Sequence, residues 1–375
     1  MSPSIRLGKI FGIEVGFNWS LIFVVAYIAW TLESQLPSLA PGHSLASYWI
    51  TAITGAILFY ASLLAHELSH ALVARRLGVK VAGITLWLFG GVSRLEGEPG
   101  TARAEALIAG VGPLTSFAVA ALSFAVANLT TNDLAGVLFS YLFFANAALG
   151  IFNLVPAFPL DGGRLLSSIL WWRSGTRQQG VHNAVRVGRV FAYLMIAAGV
   201  PLALLGQVFS GLWLAFIGWF LLSAGAQEEA GSTVRTNLRS VPVSAAMSSP
   251  VVTLPDWVTV GQFLESVAPN HSFTTYPVHE PSGKLTGVVR LRDLVRVPTN
   301  ERDQKHLIDV ALPITAVPTT NPREEIVPLM QRLGPGLDQR VLVFDNGQLV
   351  GILSPADVAR VLATRQAVPG RPPAA

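Results

Sequence analysis

Two histidines and a glutamate lie close together within a long apolar stretch of the chain. His66, Glu67 and His70 form the pattern His-Glu-x-x-His. In a helix, positions four residues apart share one face, so both imidazoles can bind the same metal ion. Glu67 lies beside the first ligand, where its carboxylate can act as a general base on a water molecule. The pattern therefore predicts a zinc site with hydrolytic chemistry.

The residues around this pattern decide between a metal site and a chance arrangement. In a soluble helix, the same three residues could simply be solvated. Here the runs Ala56–Ala65 and Leu72–Val73 are apolar and offer no solvent to satisfy three polar groups. Binding of a metal ion would supply the missing compensation, which favours the metal site.

A catalytic zinc ion commonly has three protein ligands and one open position, so a third ligand is required. The chain has no cysteine, which leaves a further histidine or an acidic residue. Asp161 is the best candidate because it follows two prolines that end a helix and precedes Gly162 and Gly163, which would let the backbone approach the metal. The alternative is that Asp161 caps the helix that begins near Gly162.

Composition indicates a membrane-embedded part followed by a soluble part. Of all residues, 51% are hydrophobic and 13% are charged, whereas soluble domains carry roughly 25% charged residues. The first 230 residues hold 22 charged residues, and the remaining 145 hold 26. Each part has a small net positive charge of +2 without a basic stripe, which argues against nucleic acid as a partner.

Six apolar runs near the length that crosses a bilayer occur in the first part. They are Phe17–Leu32, Ile50–Ala74, Ala106–Asn128, Leu134–Val155, Val190–Leu205 and Val208–Ala226. Lys and Arg are absent from the loops Glu33–Trp49, Leu129–Asp133 and Gly206–Gln207, and they occur in the alternate loops. This distribution predicts that both termini are cytoplasmic. The first residues do not have the pattern of a removable signal peptide.

The two metal-site motifs together resemble those of the site-2 protease family of intramembrane zinc metalloproteases. The segment Asn153-x-x-Pro156-x-x-Pro159-Leu160-Asp161-Gly162-Gly163-Arg164 follows His66-Glu67-Leu68-Ser69-His70 after about ninety residues. The resemblance covers residues 1 to about 227, including Gly110-Val111-Gly112-Pro113. It implies one Zn²⁺ per chain bound by His66, His70 and Asp161, with Glu67 as the general base. It also implies a single-span membrane protein as substrate, which Asn153 would hydrogen-bond in an unwound form unless Asn153 bonds within the helix bundle.

The segment Val79–Leu95 is apolar but too short and too rich in glycine to span a membrane. Its composition suggests strands, with Phe89 leading into a turn at Gly90-Gly91. By resemblance to related proteases, this segment would dip into the membrane and offer an edge to extended substrate, with Gly90 and Gly91 in contact with it. The alternative is a plain cytoplasmic hairpin.

The soluble part contains an internal repeat of 64 to 65 residues. Tyr276–Leu294 matches Val341–Val358, so that Gly287 aligns with Gly351 and Asp293 with Asp357. Each copy reads as a strand, a tight turn, a second strand and a helix, preceded by a short strand and a helix.

This unit resembles the CBS domain (cystathionine β-synthase type), which commonly occurs as a tandem pair. The resemblance implies an adenine nucleotide as ligand, bound through Ser354 and Asp357 in the second copy. Asp293 is present in the first copy, but Arg290 replaces the hydroxyl residue there. The alternative is that both aspartates only cap helices. CBS pairs commonly dimerise, so a homodimer is expected.

Taken together, the sequence predicts a polytopic α-helical membrane domain of about six spans followed by an α/β tandem CBS pair. The predicted divisions are 1–230 for the membrane domain, 231–300 and 301–365 for the two CBS domains, and 366–375 for a flexible tail. The expected activity is zinc-dependent proteolysis of membrane-spanning segments, modulated by a cytosolic CBS pair. A CBS-regulated metal or ion transporter that uses the same residues as a transit site is the alternative.

Overall fold

The computed structural model describes residues 5–87, 90–271, 273–333 and 340–367. It divides into two compact units, with the division between Thr233 and Val234. Each unit is described separately below.

The first unit begins with two strands that the sequence did not indicate. Strands β1 (Ile5–Ile10) and β2 (Ile13–Phe17) form an antiparallel hairpin. Strands β3 (Lys80–Trp87) and β4 (Gly90–Glu96) form a second hairpin, and β2 pairs with β3 in parallel. The result is a four-stranded sheet in the order β1-β2-β3-β4.

Among the described residues, seven helices make up the rest of the first unit, and the last of them ends beyond the division at Thr233. They are α1 (Ser20–Leu39), α2 (Leu45–Arg76), α3 (Ala102–Leu129), α4 (Asp133–Asn153), α5 (Asp161–Ser174), α6 (Arg177–Leu204) and α7 (Val208–Leu238). All except α5 are long and apolar enough to cross a membrane, which confirms the predicted number of six spans. Many large apolar side chains on these helices are exposed, among them Leu129, Leu204 and Phe209 at more than 80%. Such surfaces suit a lipid environment.

Packing in the first unit centres on α2. Its N-terminal half packs against α1 and α4 through small and aromatic residues such as Ala52, Ala56 and Tyr48. Its C-terminal half packs against the sheet, where Ile13 and Ile84 contact the region of Ala71. The sheet is thereby fixed beside the segment that carries His66, Glu67 and His70.

The second unit contains two similar strand and helix groups. The elements of the first group are β5 (Leu254–Pro255), α8 (Val260–Gln262), β6 (Thr275–His279), β7 (Leu285–Arg290), α9 (Leu291–Val295), α10 (Leu307–Val310) and β8 (Leu312–Pro313). Those of the second are β9 (Thr319–Thr320), α11 (Ile326–Leu333), β10 (Val341–Asp345), β11 (Gln348–Leu353) and α12 (Pro355–Ala367). The sheets have the orders β5-β6-β7-β8 and β11-β10-β9.

Equivalent details in both groups confirm the repeat. The β6–β7 ladder shifts register after Val278, and the β10–β11 ladder shifts after Val343, which is its repeat partner. Both aligned glycines lie too close to a neighbouring atom to carry a side chain. A Cβ at Gly287 would lie 2.6 Å from the Leu312 carbonyl oxygen, and one at Gly351 would lie 2.4 Å from Met247 Sδ.

In the second unit, each of the two groups is packed with residues from the other side of the predicted division at residue 300. Leu307 lies in the core of the first group, and β8 pairs with β7. Val241, Val243 and Ala246 pack in the core of the second group. The division at 300 therefore stays a prediction drawn from the sequence repeat. The predicted tail at 366–375 begins inside α12, and its last eight residues lie outside the described ranges.

Candidate active site

Helix α2 brings the two predicted histidine ligands together. His66 and His70 are one turn apart, and their Nε2 atoms lie 3.2 Å from each other. Both residues are buried, at 2% and 8% exposure. The helix starts at a capped end, where Ser44 Oγ accepts a hydrogen bond from the backbone N–H of Ser47.

Asp161 reaches the same point from α5. Its Oδ2 atom lies 3.2 Å from His70 Nε2 and 3.3 Å from His66 Nε2. One donor atom from each of the three residues lies within 4.8 Å of the others. Leu160, not Asp161, occupies the N-cap position of α5, so the capping alternative does not describe this side chain.

Helix α3 orients both imidazoles through their other nitrogen atoms. Ser116 Oγ lies 2.9 Å from His66 Nδ1, and the Ile108 carbonyl oxygen lies 2.5 Å from His70 Nδ1. A carbonyl oxygen only accepts, so His70 Nδ1 carries the proton and its Nε2 keeps a lone pair for a ligand. Such outer hydrogen bonds are typical of metal-binding histidines. Two imidazole nitrogens and a carboxylate oxygen make a donor set that fits Zn²⁺.

Gly112 on α3 leaves the space in which the three donors meet. A Cβ atom at this position would lie 2.2 Å from His70 Nε2 and 2.7 Å from His66 Nε2. Real Cβ atoms do not approach other atoms this closely, so only glycine fits here without displacing an imidazole. The sequence showed Gly112 as part of a glycine-proline segment, but not that its missing side chain faces the two histidines.

Glu67 is held by strand β4. Ser93 Oγ donates a hydrogen bond to Glu67 Oε2 over 2.9 Å. A Cβ at Gly91 would lie 2.2 Å from Glu67 Cγ, so the backbone of β4 lies directly against this side chain. Ser93 was not predicted from the sequence, because only the fold brings β4 beside α2.

The predicted turn at Gly90-Gly91 is wrong. Both residues lie in strand β4, where they pair with Trp87 and Leu86. Glu67 occupies the space that a side chain at position 91 would need, so only glycine fits there. Glycine is also common in turns, so the sequence alone does not distinguish a turn from a close approach of this kind. Phe89, which was expected to lead into the turn, lies outside the described residues.

The remaining residues of the second motif have local roles in the structure. The Asn153 side-chain amide donates to the Leu149 carbonyl of its own helix over 3.0 Å. Gly162 and Gly163 allow α5 to begin close to the preceding loop, since a Cβ at Gly162 would lie 2.3 Å from the Leu154 carbonyl oxygen. The close approach that these glycines permit is therefore to the loop.

The structure separates the three residues predicted to bind a nucleotide. Ser354 and Asp357 line a cavity of about 300 Å³ in the second unit. Asp357 accepts hydrogen bonds from the Ser354 N–H and hydroxyl, at 2.9 and 2.6 Å, and its own N–H donates to Ser354 Oγ at 3.3 Å, which completes a capping box. Asp293 is not among the residues that line this cavity, and its carboxylate pairs with Arg290 Nε at 2.5 Å.

Comparison with known proteins gives the family. The sequence profile of peptidase family M50 matches residues 54–137 and 127–196, and that of the CBS domain matches residues 309–364. Rip3 of Mycobacterium tuberculosis, which is named as a zinc metalloprotease, is 40% identical over 367 residues that cover 96% of this chain and 93% of Rip3. The chain belongs to peptidase family M50. This is the site-2 protease family.

Two further matches to this M50 peptidase, one in sequence and one in structure, come from Methanocaldococcus jannaschii. Zinc metalloprotease MJ0392 is 28% identical over 365 residues, covering 96% of this chain and 97% of the relative. The solved structure of the site-2 protease is 29% identical and covers 60% of this chain and 94% of that chain, with a TM-score of 0.39.

Family membership establishes the general activity. The M50 peptidase is an enzyme, a zinc metalloprotease with several membrane-spanning helices and a C-terminal CBS region. This finding favours the protease over the transporter that the sequence left open.

Proposed function

We propose that this M50 peptidase binds one Zn²⁺ through His66, His70 and Asp161 and hydrolyses peptide bonds in locally unwound membrane-spanning segments. The observation that carries the proposal is the convergence of these three donor atoms within 4.8 Å, with Glu67 next to His66 on the same helix. A transit site would need the ligands but would have no use for an adjacent base.

The chain's own residues account for the movement of the proton. When bound, Zn²⁺ supplies Lewis acidity toward the scissile carbonyl and the attacking water. Glu67 takes a proton from that water while the water oxygen bonds to the carbonyl carbon. Glu67 then gives the proton to the amine nitrogen as the C–N bond breaks. Ser93 holds the Glu67 carboxylate through Oε2. Ser116 and the Ile108 carbonyl keep the imidazoles in one orientation.

The substrate is proposed to be a single-span membrane protein that contains helix-weakening residues. Carbonyl groups of an intact helix are engaged in backbone hydrogen bonds, so a segment must unwind before it is cleaved. Among the described strands, β4 pairs only with β3, which leaves its other edge for an extended chain beside Glu67. We place Gly90 and Gly91 in this substrate contact, and Asn153 as a further contact with the unwound chain.

Metal removal tests this function in reconstituted vesicles. A single-span substrate with Gly and Pro near the cytosolic end of its span is expected to be cleaved, and a zinc chelator should abolish cleavage. Added Zn²⁺ should restore it. Cleavage fragments are measured by mass spectrometry, with the same substrate carrying Leu in place of Gly and Pro as the control. Equal cleavage of that control, or activity that survives full removal of zinc, would contradict the proposal.

We propose that the cavity of the second unit binds an adenine nucleotide and thereby modulates the protease. Arg340 and Phe273 line it together with Ser354, and Arg340 donates to the Thr274 hydroxyl. Burial lowers the pKa of Arg340, and the charge of Arg292 lowers it further, while Asp357 raises it. The Arg340 guanidinium in the cavity lining favours an anionic ligand. Asp293 was expected to serve the first copy, and its pairing with Arg290 leaves Ser354 and Asp357 as the better-supported pair.

ATP and AMP are expected to stabilise the full-length protein. At saturation the Tm should rise by at least about 2 °C. Arg340→Gln should abolish this shift, whereas Arg323→Gln, at an exposed arginine of the same unit, should not. A shift that is unchanged by Arg340→Gln would refute the cavity as the nucleotide site, and the absence of a shift in the wild type would refute nucleotide binding.

For the topology, we propose that both termini and the CBS region are cytoplasmic, because Lys and Arg occur in alternate loops. For the assembly, we propose a homodimer, the common state of CBS pairs.

A further inference from the structure

The two faces of the four-stranded sheet differ in chemistry. On one face, Ile13, Val15 and Ile84 are buried, and Ile13 and Ile84 pack with α2 in one apolar cluster. The opposite face carries a row of residues that crosses all four strands. Lys9 is the register partner of Glu14, Gly83 is that of Arg94, and Gly83 lies against the backbone of Glu14. Charged groups are thus collected on the face that does not contact α2.

A small pocket lies on this charged face. Its volume is about 110 Å³, and its lining includes Arg6, Lys9, Arg94 and Glu14. Three cations therefore surround one acid. Arg94 extends across the row at Gly83, where a Cβ would lie 3.3 Å from its Nη2 atom and 2.9 Å from the Glu14 carbonyl oxygen.

Two polar atoms on this face are buried without a partner among the described residues. They are the Nε of Arg94 and the Oγ1 of Thr85, a residue that is only 3% exposed. Thr85 is the register partner of Gly16, which lines the pocket and pairs with Arg6. Arg94 lines the pocket, and a buried N–H donor without an acceptor is costly, so the pocket is suited to a ligand rich in acceptor oxygens.

The position of the sheet identifies the source of such a ligand. The sheet joins the beginning of α1, the end of α2 and the beginning of α3. Consecutive spans alternate in direction, so these three helix ends lie at the same membrane surface. The segments that carry the sheet therefore enter and leave the helices at one membrane surface, where lipid headgroups lie, while β4 extends to Glu67.

Strand β1 has the composition of an element at a lipid surface. All six of its residues are exposed, including Ile5 and Leu7 at 44% and 60%, and Phe11 in the following turn is 68% exposed. Large apolar residues on one strand together with Arg6 and Lys9 are unfavourable in water. They match an interface where side chains meet acyl chains and headgroups.

We propose that this pocket binds the headgroup phosphate of an anionic phospholipid. Arg6, Lys9 and Arg94 supply the positive charge, and the exposed apolar residues of β1 contact the acyl region. Basic clusters beside a membrane span are attracted to anionic lipids at the cytoplasmic surface. The headgroup is expected to hold the sheet, and with it Ser93 and Gly91, beside Glu67.

Native mass spectrometry of the full-length protein in detergent tests the proposal. The probes are dioctanoyl phosphatidylglycerol, dioctanoyl phosphatidylcholine and inorganic phosphate. We expect saturable binding of phosphatidylglycerol and at least about tenfold weaker binding of the other two. The triple variant Arg6→Gln, Lys9→Gln, Arg94→Gln should bind phosphatidylglycerol more than about tenfold more weakly, since each cation contributes about fivefold.

Two controls separate a built pocket from general surface charge. The matched triple variant Arg103→Gln, Arg173→Gln, Arg186→Gln removes the same charge from exposed arginines of α3, α5 and α6 and should leave binding unchanged. Glu14→Gln removes the acid from the pocket and should tighten binding about fivefold. This gain keeps the test valid even if the first triple variant does not fold.

Three results would overturn the proposal. Equal losses in the two triple variants would show that any surface arginine suffices. Equal binding of phosphatidylcholine would show that the pocket does not recognise the anionic headgroup. Binding of inorganic phosphate as tight as that of phosphatidylglycerol would show that a free anion, and not a lipid, is the ligand.

Discussion

Glu67→Gln is expected to reduce peptide-bond cleavage by about 10²- to 10⁴-fold while the zinc content stays at that of the wild type. The amide has the shape of the carboxylate but cannot take a proton from water. Ser93 Oγ can still donate to the amide oxygen, so the contact with β4 is kept. The three donor atoms on His66, His70 and Asp161 are untouched.

Cleavage and zinc must be measured in the same preparation of this variant. Fragment formation from a single-span substrate is followed by mass spectrometry, and bound zinc by elemental analysis. If cleavage persists at the wild-type rate, Glu67 is not the base. If zinc is lost together with activity, Glu67 acts as a ligand and the proposed division of roles is wrong.

Gly112→Ala is expected to abolish cleavage by removing the zinc. The added Cβ would lie 2.2 Å from His70 Nε2, so the imidazole must move away from the position where it meets His66 and Asp161. Loss of an outer hydrogen bond typically lowers metal affinity by about 10- to 100-fold, or about 1.4 to 2.8 kcal/mol. Displacing a ligand itself should cost at least as much. Zinc content after dialysis against a weak chelator measures this loss.

Gly110→Ala is the matched control on the same helix. A Cβ at Gly110 would meet no atom within 4 Å, so the substitution should leave zinc content and cleavage unchanged. It makes the same change in helix propensity as the test variant. Normal zinc content in Gly112→Ala would show that the imidazoles do not have to meet at this point, and equal losses in both variants would point to a general effect on α3.

The sequence predicted the elements that carry long or repeated patterns. Six spans follow from the scarcity of charge over whole helix lengths, and the two similar groups of the second unit follow from the 64- to 65-residue repeat. The cluster of His66, His70 and Asp161 could be anticipated because charged residues are rare in the membrane part. Each of them therefore required a chemical reason.

The parts that the sequence did not reveal depend on contacts between distant segments. The hairpin of β1 and β2 is short, and its parallel pairing with β3 joins residues almost seventy positions apart. Ser116 and Ser93 are ordinary serines until α3 and β4 are packed against α2. Gly91 was interpreted as a turn because a sequence does not distinguish backbone flexibility from lack of space. The Ser354-x-x-Asp357 pattern fits both a capping box and a nucleotide contact, and the structure shows the first directly.

X-ray absorption at the zinc K-edge, on the full-length wild type and on Asp161→Ala, tests the proposed metal site most directly. The wild-type spectrum should show two imidazole ligands together with oxygen ligands, and Asp161→Ala should keep the imidazole signature and lose an oxygen ligand along with much of its zinc affinity. An unchanged spectrum and zinc content in Asp161→Ala, or a wild-type spectrum without two imidazoles, would contradict the assignment of His66, His70 and Asp161 as the zinc ligands of this protease.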